Sequence, residues 1–378
     1  MRRANCWNLV RKGPDGAVSC YIERGIAIES GACTDVAVAA GLSTSLPAAA
    51  TCFPPVRYFP QRDPPFMSDS EPNEVDRGVD ESMRMFEKSK VGDEPALQPI
   101  KPARVLLVLD GSSQDKSGIA AAGFLRETFN VETLVLDARP SPDGDITTAV
   151  VDAVSGARPI QRGEGESYEM ILAALQTHAV DLLVVPCPFG RDFDKVGTDS
   201  AGTVIDVLLS RCPCPMLVIR REDQTLAECV GKVSVVVGAE CDVELKAAAW
   251  AFGLSADDAT VTLDLVVEKE QYENIKSIVE ALSDGATLDP ESFSDALTKT
   301  HHSIHGAMAK TATELGRSYH LRPLAGEVAP PNPLQNRDQT LLVLPLEVDD
   351  RFGQGFAQDR IRRSPHPVLV VPSHVPQG

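Results

Sequence analysis

Asp110 closes the apolar run Arg104–Asp110 (RVLLVLD) and opens the turn Gly111-Ser112-Ser113. A carboxylate at the end of a strand in an open parallel sheet faces the crevice where ligands bind, and it can accept hydrogen bonds from a ribose hydroxyl or a base amino group. Further on, Pro186-Cys-Pro-Phe-Gly190-Arg191 leads through Lys195 to Gly202-Thr203-Val204, where a helix must begin. The N–H groups and positive dipole end of such a helix can hold a phosphate, Gly190 lets backbone approach a ligand, and Arg191 or Lys195 adds positive charge. Asp192, Asp194 and Asp199 in the same loop could hold Mg2+ for phosphoryl chemistry; we read them as keeping a surface loop soluble. His301, His302 and His305 form a HHxxH cluster in which His301 and His305 lie one helical turn apart, a spacing that can share a metal. No cysteine completes that set nearby, so we expect a solvated helix face. Cys212-Pro-Cys214 has a redox spacing but sits at the mouth of an apolar strand, where small buried thiols are common. No residue is assigned a catalytic or metal-ligating role.

These groups meet only if a sheet edge brings them together. Apolar runs predict strands at 104–110, 131–136, 157–162, 181–186 and 215–220. Helical spacing covers 114–129, with Ser113 as candidate N-cap, 166–179, with Met170, Ile171, Ala174 and Leu175 on one face and His178 at its end, and 202–211. Strands alternating with helices through right-handed crossovers make a doubly wound parallel sheet. The pattern then starts again. Lys232–Val237 matches Arg104–Leu109 at an offset of 128, Leu342–Pro345 matches Leu183–Pro186 at 159, and Arg363-Ser-Pro-His-Pro matches Arg211-Cys-Pro-Cys-Pro at 152. The second copy has therefore gained 31 residues before its fourth strand, in a helical stretch within 268–317, and lost seven in the loop after it. Trp250 and Phe252, in the Ala-rich helix LKAAAWAFGL, read as core packing.

With 378 residues the chain holds more than one domain's worth of sequence, and its 43% hydrophobic and 24% charged residues are those of a globular protein. A net charge of −18 repels phosphate backbones and acidic membranes, which argues against nucleic acid and membrane partners. No apolar run approaches the ~18 residues of a membrane span. Charge is uneven: residues 1–66 carry a net of +2 and four of the nine cysteines (Cys6, Cys20, Cys33, Cys52). We expect 1–66 to be an extension whose start is misassigned, or a disordered one, with the protein proper opening at Met67. Residues 67–102, acidic and Pro-punctuated, read as a disordered tail with one short helix near 79–89. The odd number of cysteines after residue 66 (Cys187, Cys212, Cys214, Cys229, Cys241) fits a reducing cytoplasm.

The combination Val108-Leu-Asp110-Gly-Ser112, then Asp181-Leu-Leu-Val-Val185, then Gly202-Thr203-Val204 followed by eight residues and Pro213-Cys-Pro-Met-Leu-Val-Ile219 resembles the universal stress protein family. The resemblance covers 104–220 well and 232–373 loosely. It implies a tandem member: domain 1 at 103–222 and a degenerate domain 2 at 231–375, each an open, five-stranded, Rossmann-like parallel sheet. Pairing through the last strands would make an intramolecular pseudo-dimer, and the same pairing offers a route to a homodimer. For domain 1 it implies ATP or AMP, with Mg2+, at Asp110, Gly111, Ser112, Gly190, Gly202, Thr203 and Val204.

The chain departs from the family's Gly-x2-Gly-x9-Gly-Ser/Thr loop. Pro186 stands at the first glycine and Phe189 at the second, or Gly190 with one insertion, and eleven residues separate Gly190 from Gly202. Proline offers no N–H, and a Phe side chain there would fill ligand space. In the second copy Gly238 replaces the strand-end Asp, Glu240 adds negative charge, and Gln354 falls at the final glycine, so we expect no nucleotide there. Three readings stand side by side: a cytoplasmic, stress-associated regulatory protein binding adenine nucleotide in domain 1, an interaction scaffold for a protein partner, and an ATP-hydrolysing or adenylating enzyme.

Overall fold

The computed structural model describes residues 94–139, 146–191, 201–221, 225–238, 241, 243–282, 288–326 and 339–373, with three short strands inside 10–27. The expectations for the rest of 1–93, for Asp192, Asp194, Lys195 and Asp199, and for Glu240 lie outside the described residues. The chain divides into two compact units, Met1–Glu71 and Pro72–Gly378. In the first, β1 (Val10–Lys12), β2 (Val18–Ile22) and β3 (Ile26–Ala27) form an antiparallel sheet in that order.

The second unit is built on one sheet of ten strands. Its first run is β4 (Arg104–Leu109), α1 (Asp115–Phe129), β5 (Glu132–Asp137), α2 (Thr147–Ala153), β6 (Arg158–Pro159), α3 (Ser167–His178), β7 (Leu182–Pro186), α4 (Thr203–Arg211) and β8 (Met216–Ile219). After a short helix α5 (Leu226–Cys229) comes the second run. It comprises β9 (Lys232–Val237), α6 (Glu244–Leu254), β10 (Thr260–Val267), α7 (Lys269–Leu282), α8 (Pro290–Thr300), α9 (His302–Leu315), β11 (Ser318–Ala325), β12 (Leu341–Leu346), α10 (Arg351–Arg363) and β13 (Val368–Pro372). The strand order is β11-β10-β9-β12-β13-β8-β7-β4-β5-β6. All neighbours are parallel except β13 and β8, which pair antiparallel through Val368↔Val218, Leu369↔Leu217 and Val370↔Met216.

The expected pair of five-stranded sheets is thus a single sheet, because the last strand of each run lends its free edge to the other. Edge-to-edge closure satisfies backbone groups that two separate sheets would leave open. Side chains at the seam enter both apolar layers: Leu217 and Leu369 belong to the layer on one face, Met216, Val218, Val368 and Val370 to the layer on the other.

Several elements differ from expectation. The third strand shrinks from 157–162 to two residues at the sheet's edge. Helix α1 starts at Asp115 with Gln114, not Ser113, as N-cap, and the Gln114 side chain makes no capping hydrogen bond. The long helical stretch of the second run breaks at His301 into α8 and α9. Residues 94–102, assigned to the disordered tail, instead lie across the second run. The Leu97 N–H donates to Thr311 Oγ1 on α9 at 2.7 Å, and the Ile100 N–H donates to the Ala249 carbonyl on α6 at 3.0 Å. Leu97 and Ile100 both pack on the apolar layer of that face.

Candidate functional site

Strands β4 and β7 are neighbours, so their carboxyl ends bring Asp110 beside the loop after Pro186. Asp110 is 6% exposed. Its carboxylate accepts hydrogen bonds from the Ser112 N–H at 2.9 Å and the Gly190 N–H at 2.6 Å. The structure therefore joins Asp110, Ser112 and Gly190 directly. Gly202 lies against the Phe189 backbone, where a Cβ on it would sit 3.8 Å from the Phe189 nitrogen. Gly202, Thr203 and Val204 open α4; Gly202 is its N-cap at φ +89°, a conformation open to glycine. The Cys187 thiol donates to the Ala201 carbonyl at 3.4 Å, tying the end of β7 to the residue before that helix start. Burial pushes this thiol up to about 12, which keeps it protonated.

Gly111, also at positive φ (+81°), is exposed, and the Arg139 chain lies against it with its guanidinium on Asp137 at 2.9 and 3.0 Å. The Ser112 hydroxyl is buried and has no hydrogen-bond partner among the described residues, as a group that a ligand's polar atom would satisfy. Phe189 is partly buried and packs, as does Val204, against the apolar layer on that face.

Asp115 is the functional candidate missed in the sequence. From the first turn of α1 its carboxylate reaches back to accept the Asp110 N–H at 3.1 Å and the Gly111 N–H at 2.9 Å. Burial, and next the negative charge of Asp110, raise its pKa from 3.8 to about 7. An acidic residue in the first turn after a strand-end Asp was the only signal available.

The equivalent place in the second run is filled from within. A Cβ on Gly238 would lie 2.7 Å from the Phe356 ring, so the aromatic side chain occupies the position that the strand-end carboxylate holds in the first. Helix α10 has 13 residues against nine in α4, and both end at matching arginines, so the extra turn takes up chain that forms the loop in the first run. Its N-terminus is capped by Asp350, whose carboxylate accepts the Phe352 and Gly353 N–H groups at 2.9 Å each. A cavity of about 100 Å3 remains between Gly238, Cys241, Asp350, Phe352 and Phe356. Ligand pockets usually hold roughly 300 Å3 or more, so it is too small for a nucleoside.

The histidine cluster is dispersed rather than solvated. His301, 5% exposed, places Nδ1 3.3 Å from Glu244 Oε2, while His305 stacks on Tyr319 with Nδ1 2.9 Å from its hydroxyl; His302 alone is exposed. Among the described residues no group of three His, Cys, Asp or Glu converges to hold a metal. Cys212 and Cys214 are both buried, with Sγ atoms 4.0 Å apart. No described helix is long and apolar enough to cross a membrane.

No family model matches this sequence, and none of the curated proteins matches it. Among solved structures, a universal stress protein from Archaeoglobus fulgidus DSM 4304 is 12% identical, covers 71% of this chain and 98% of its own, and gives a TM-score of 0.47. A second chain of that description, from Pseudomonas aeruginosa UCBPP-PA14, is 14% identical, covers 72% and 93%, and gives 0.48. The cytoplasmic domain of a prokaryotic cation chloride cotransporter is 10% identical, covers 72% and 95%, and gives 0.33.

Proposed function

We propose that the protein is a universal stress protein-like regulator that binds an adenine nucleotide, ATP or AMP with Mg2+, at the carboxyl edge of β4 and β7 only. The observation that carries this reading is the junction of Asp110 with Gly190, with Gly190 in the loop that leads to the N-terminus of α4. A carboxylate for the nucleoside and a helix N-terminus for phosphate then flank one crevice. In this reading 103–222 and 231–375 are tandem copies joined as a pseudo-dimer, and the second copy, plugged by Phe356 and Asp350, serves pairing. A cytoplasmic location and a role in stress response belong to the same proposal.

Isothermal titration with ATP and Mg2+, together with mass spectrometry of small molecules released from the freshly purified protein, tests it. We expect one nucleotide per chain. Asp110→Ala should weaken binding by about tenfold, the worth of one hydrogen bond to a charged group. Equal affinity in that variant would remove the site. A protein that ignores millimolar ATP would favour the scaffold reading, for which α7 supplies the observation: Ile275, Ile278 and Leu282 leave an apolar stripe 38, 58 and 81% exposed.

A further inference from the structure

The Asp110 carboxylate can receive a ligand only if the turn that carries it is held still. That turn has two anchors. One is Asp110's own carboxylate, committed to Ser112 and Gly190. The other is Asp115, which accepts the backbone N–H groups of Asp110 and Gly111 with one oxygen each. A carboxylate that accepts from two amides must be ionised to offer both oxygens; a protonated one turns one oxygen into a hydroxyl donor and loses an acceptor.

We propose that Asp115 is a positioning residue of this site: ionised, it clamps the Asp110–Gly111 turn through two amides and so presents Asp110; protonated, it lets the turn go. Nucleotide occupancy is then linked to the proton. Asp110 is the charged group among the described residues that acts on Asp115 directly. Arg139, across the turn from the β5 side, places its guanidinium on Asp137. Burial and Asp110 together bring the titration of Asp115 to about 7, inside the range where a cell's pH moves. The linkage rests on the nucleotide reading above, whereas the clamp itself does not.

Two measurements separate them. The first is ATP affinity with Mg2+ at pH 8 and pH 6, for the wild-type chain and for Asp115→Asn. The difference between the two proteins cancels the ligand's own phosphate ionisation. We expect wild type to lose at least about fivefold more affinity than Asp115→Asn between those pH values, and the two to converge at pH 6. Matching profiles would overturn the linkage. The second is the Gly111 amide resonance in ligand-free protein labelled with 15N-glycine. It should titrate with a midpoint near 7 in wild type and stay flat in Asp115→Asn. A resonance that does not move in wild type overturns the clamp. No ATP binding at either pH, with the Gly111 step present, would sink the nucleotide reading and leave the clamp standing.

Discussion

At the scale of single residues, Asp115 opposes stability while it orders a turn. Its folded pKa, about 7, lies above the ordinary 3.8, so the folded chain binds this proton more tightly than the unfolded chain does. The contribution is full below about 3.8, falls as pH rises, and is gone above about 7, where folding must pay for a buried charge beside Asp110. Asp115→Asn should therefore raise the melting temperature at pH 8 by at least about 2 °C and narrow its fall between pH 4 and 8. A variant that melts lower at pH 8 would mean the two amide bonds outweigh the burial. The location of the candidate site was legible because Asp110, Gly190 and Gly202-Thr203 lie near strand and helix ends, which apolar runs mark clearly. The role of Asp115 was not, because a side chain that folds back on the preceding turn leaves no periodic trace in sequence.

At the scale of elements, β9 was read to the residue and β4, β7 and β8 within one, since strands covered on both faces show as unbroken apolar runs. Other elements escaped for physical reasons. Helix α10 (RFGQGFAQDRIRR) carries two glycines and little apolar surface, and β11 (SYHLRPLA) alternates polar residues around Pro323. Register explains the polarity of β9–β11. Ser234 pairs with Thr262 and Val236 with Asp264, where the first run pairs Leu106 with Leu134 and Val108 with Leu136. Those three leucines pack with Met170, Ile171 and Leu175 of α3. The matching positions of the second run hold Ser234, Thr262 and Asp264, and buried Asp264 is satisfied by Arg322 at 2.5 and 2.8 Å and by Ser234 at 2.5 Å. Gly253 on α6 offers a test whose sign decides. A Cβ there would lie 1.7 Å from the Ile100 carbonyl oxygen. In a helix free of the 94–102 segment, Gly→Ala stabilises by about 1 kcal/mol; against the segment we expect Gly253→Ala to destabilise by about 1–3 kcal/mol in urea unfolding and to speed proteolysis near residue 100.

At the scale of the whole second unit, both apolar layers run without a break from the first run of strands into the second. Unfolding either run would strip the seam of Leu217, Leu369 and their neighbours and expose apolar surface on the other. Scanning calorimetry should thus show one cooperative transition with equal calorimetric and van't Hoff enthalpies; two resolved peaks would mean the runs fold independently. The 94–102 segment adds a second tie, and its position in the chain has a consequence for synthesis. Leu97 and the Thr311 hydroxyl that receives its N–H are 214 residues apart. At roughly 5–20 residues per second, a ribosome finishes α9 about 10–40 s after it has released Leu97. The segment is made early and must wait while the first run assembles behind it; α6 and then α9 give it a place. A nascent chain halted between α6 and α9 would have a place for Ile100 but none for the Leu97 N–H, so protease access near Leu97 reports when α9 has been made.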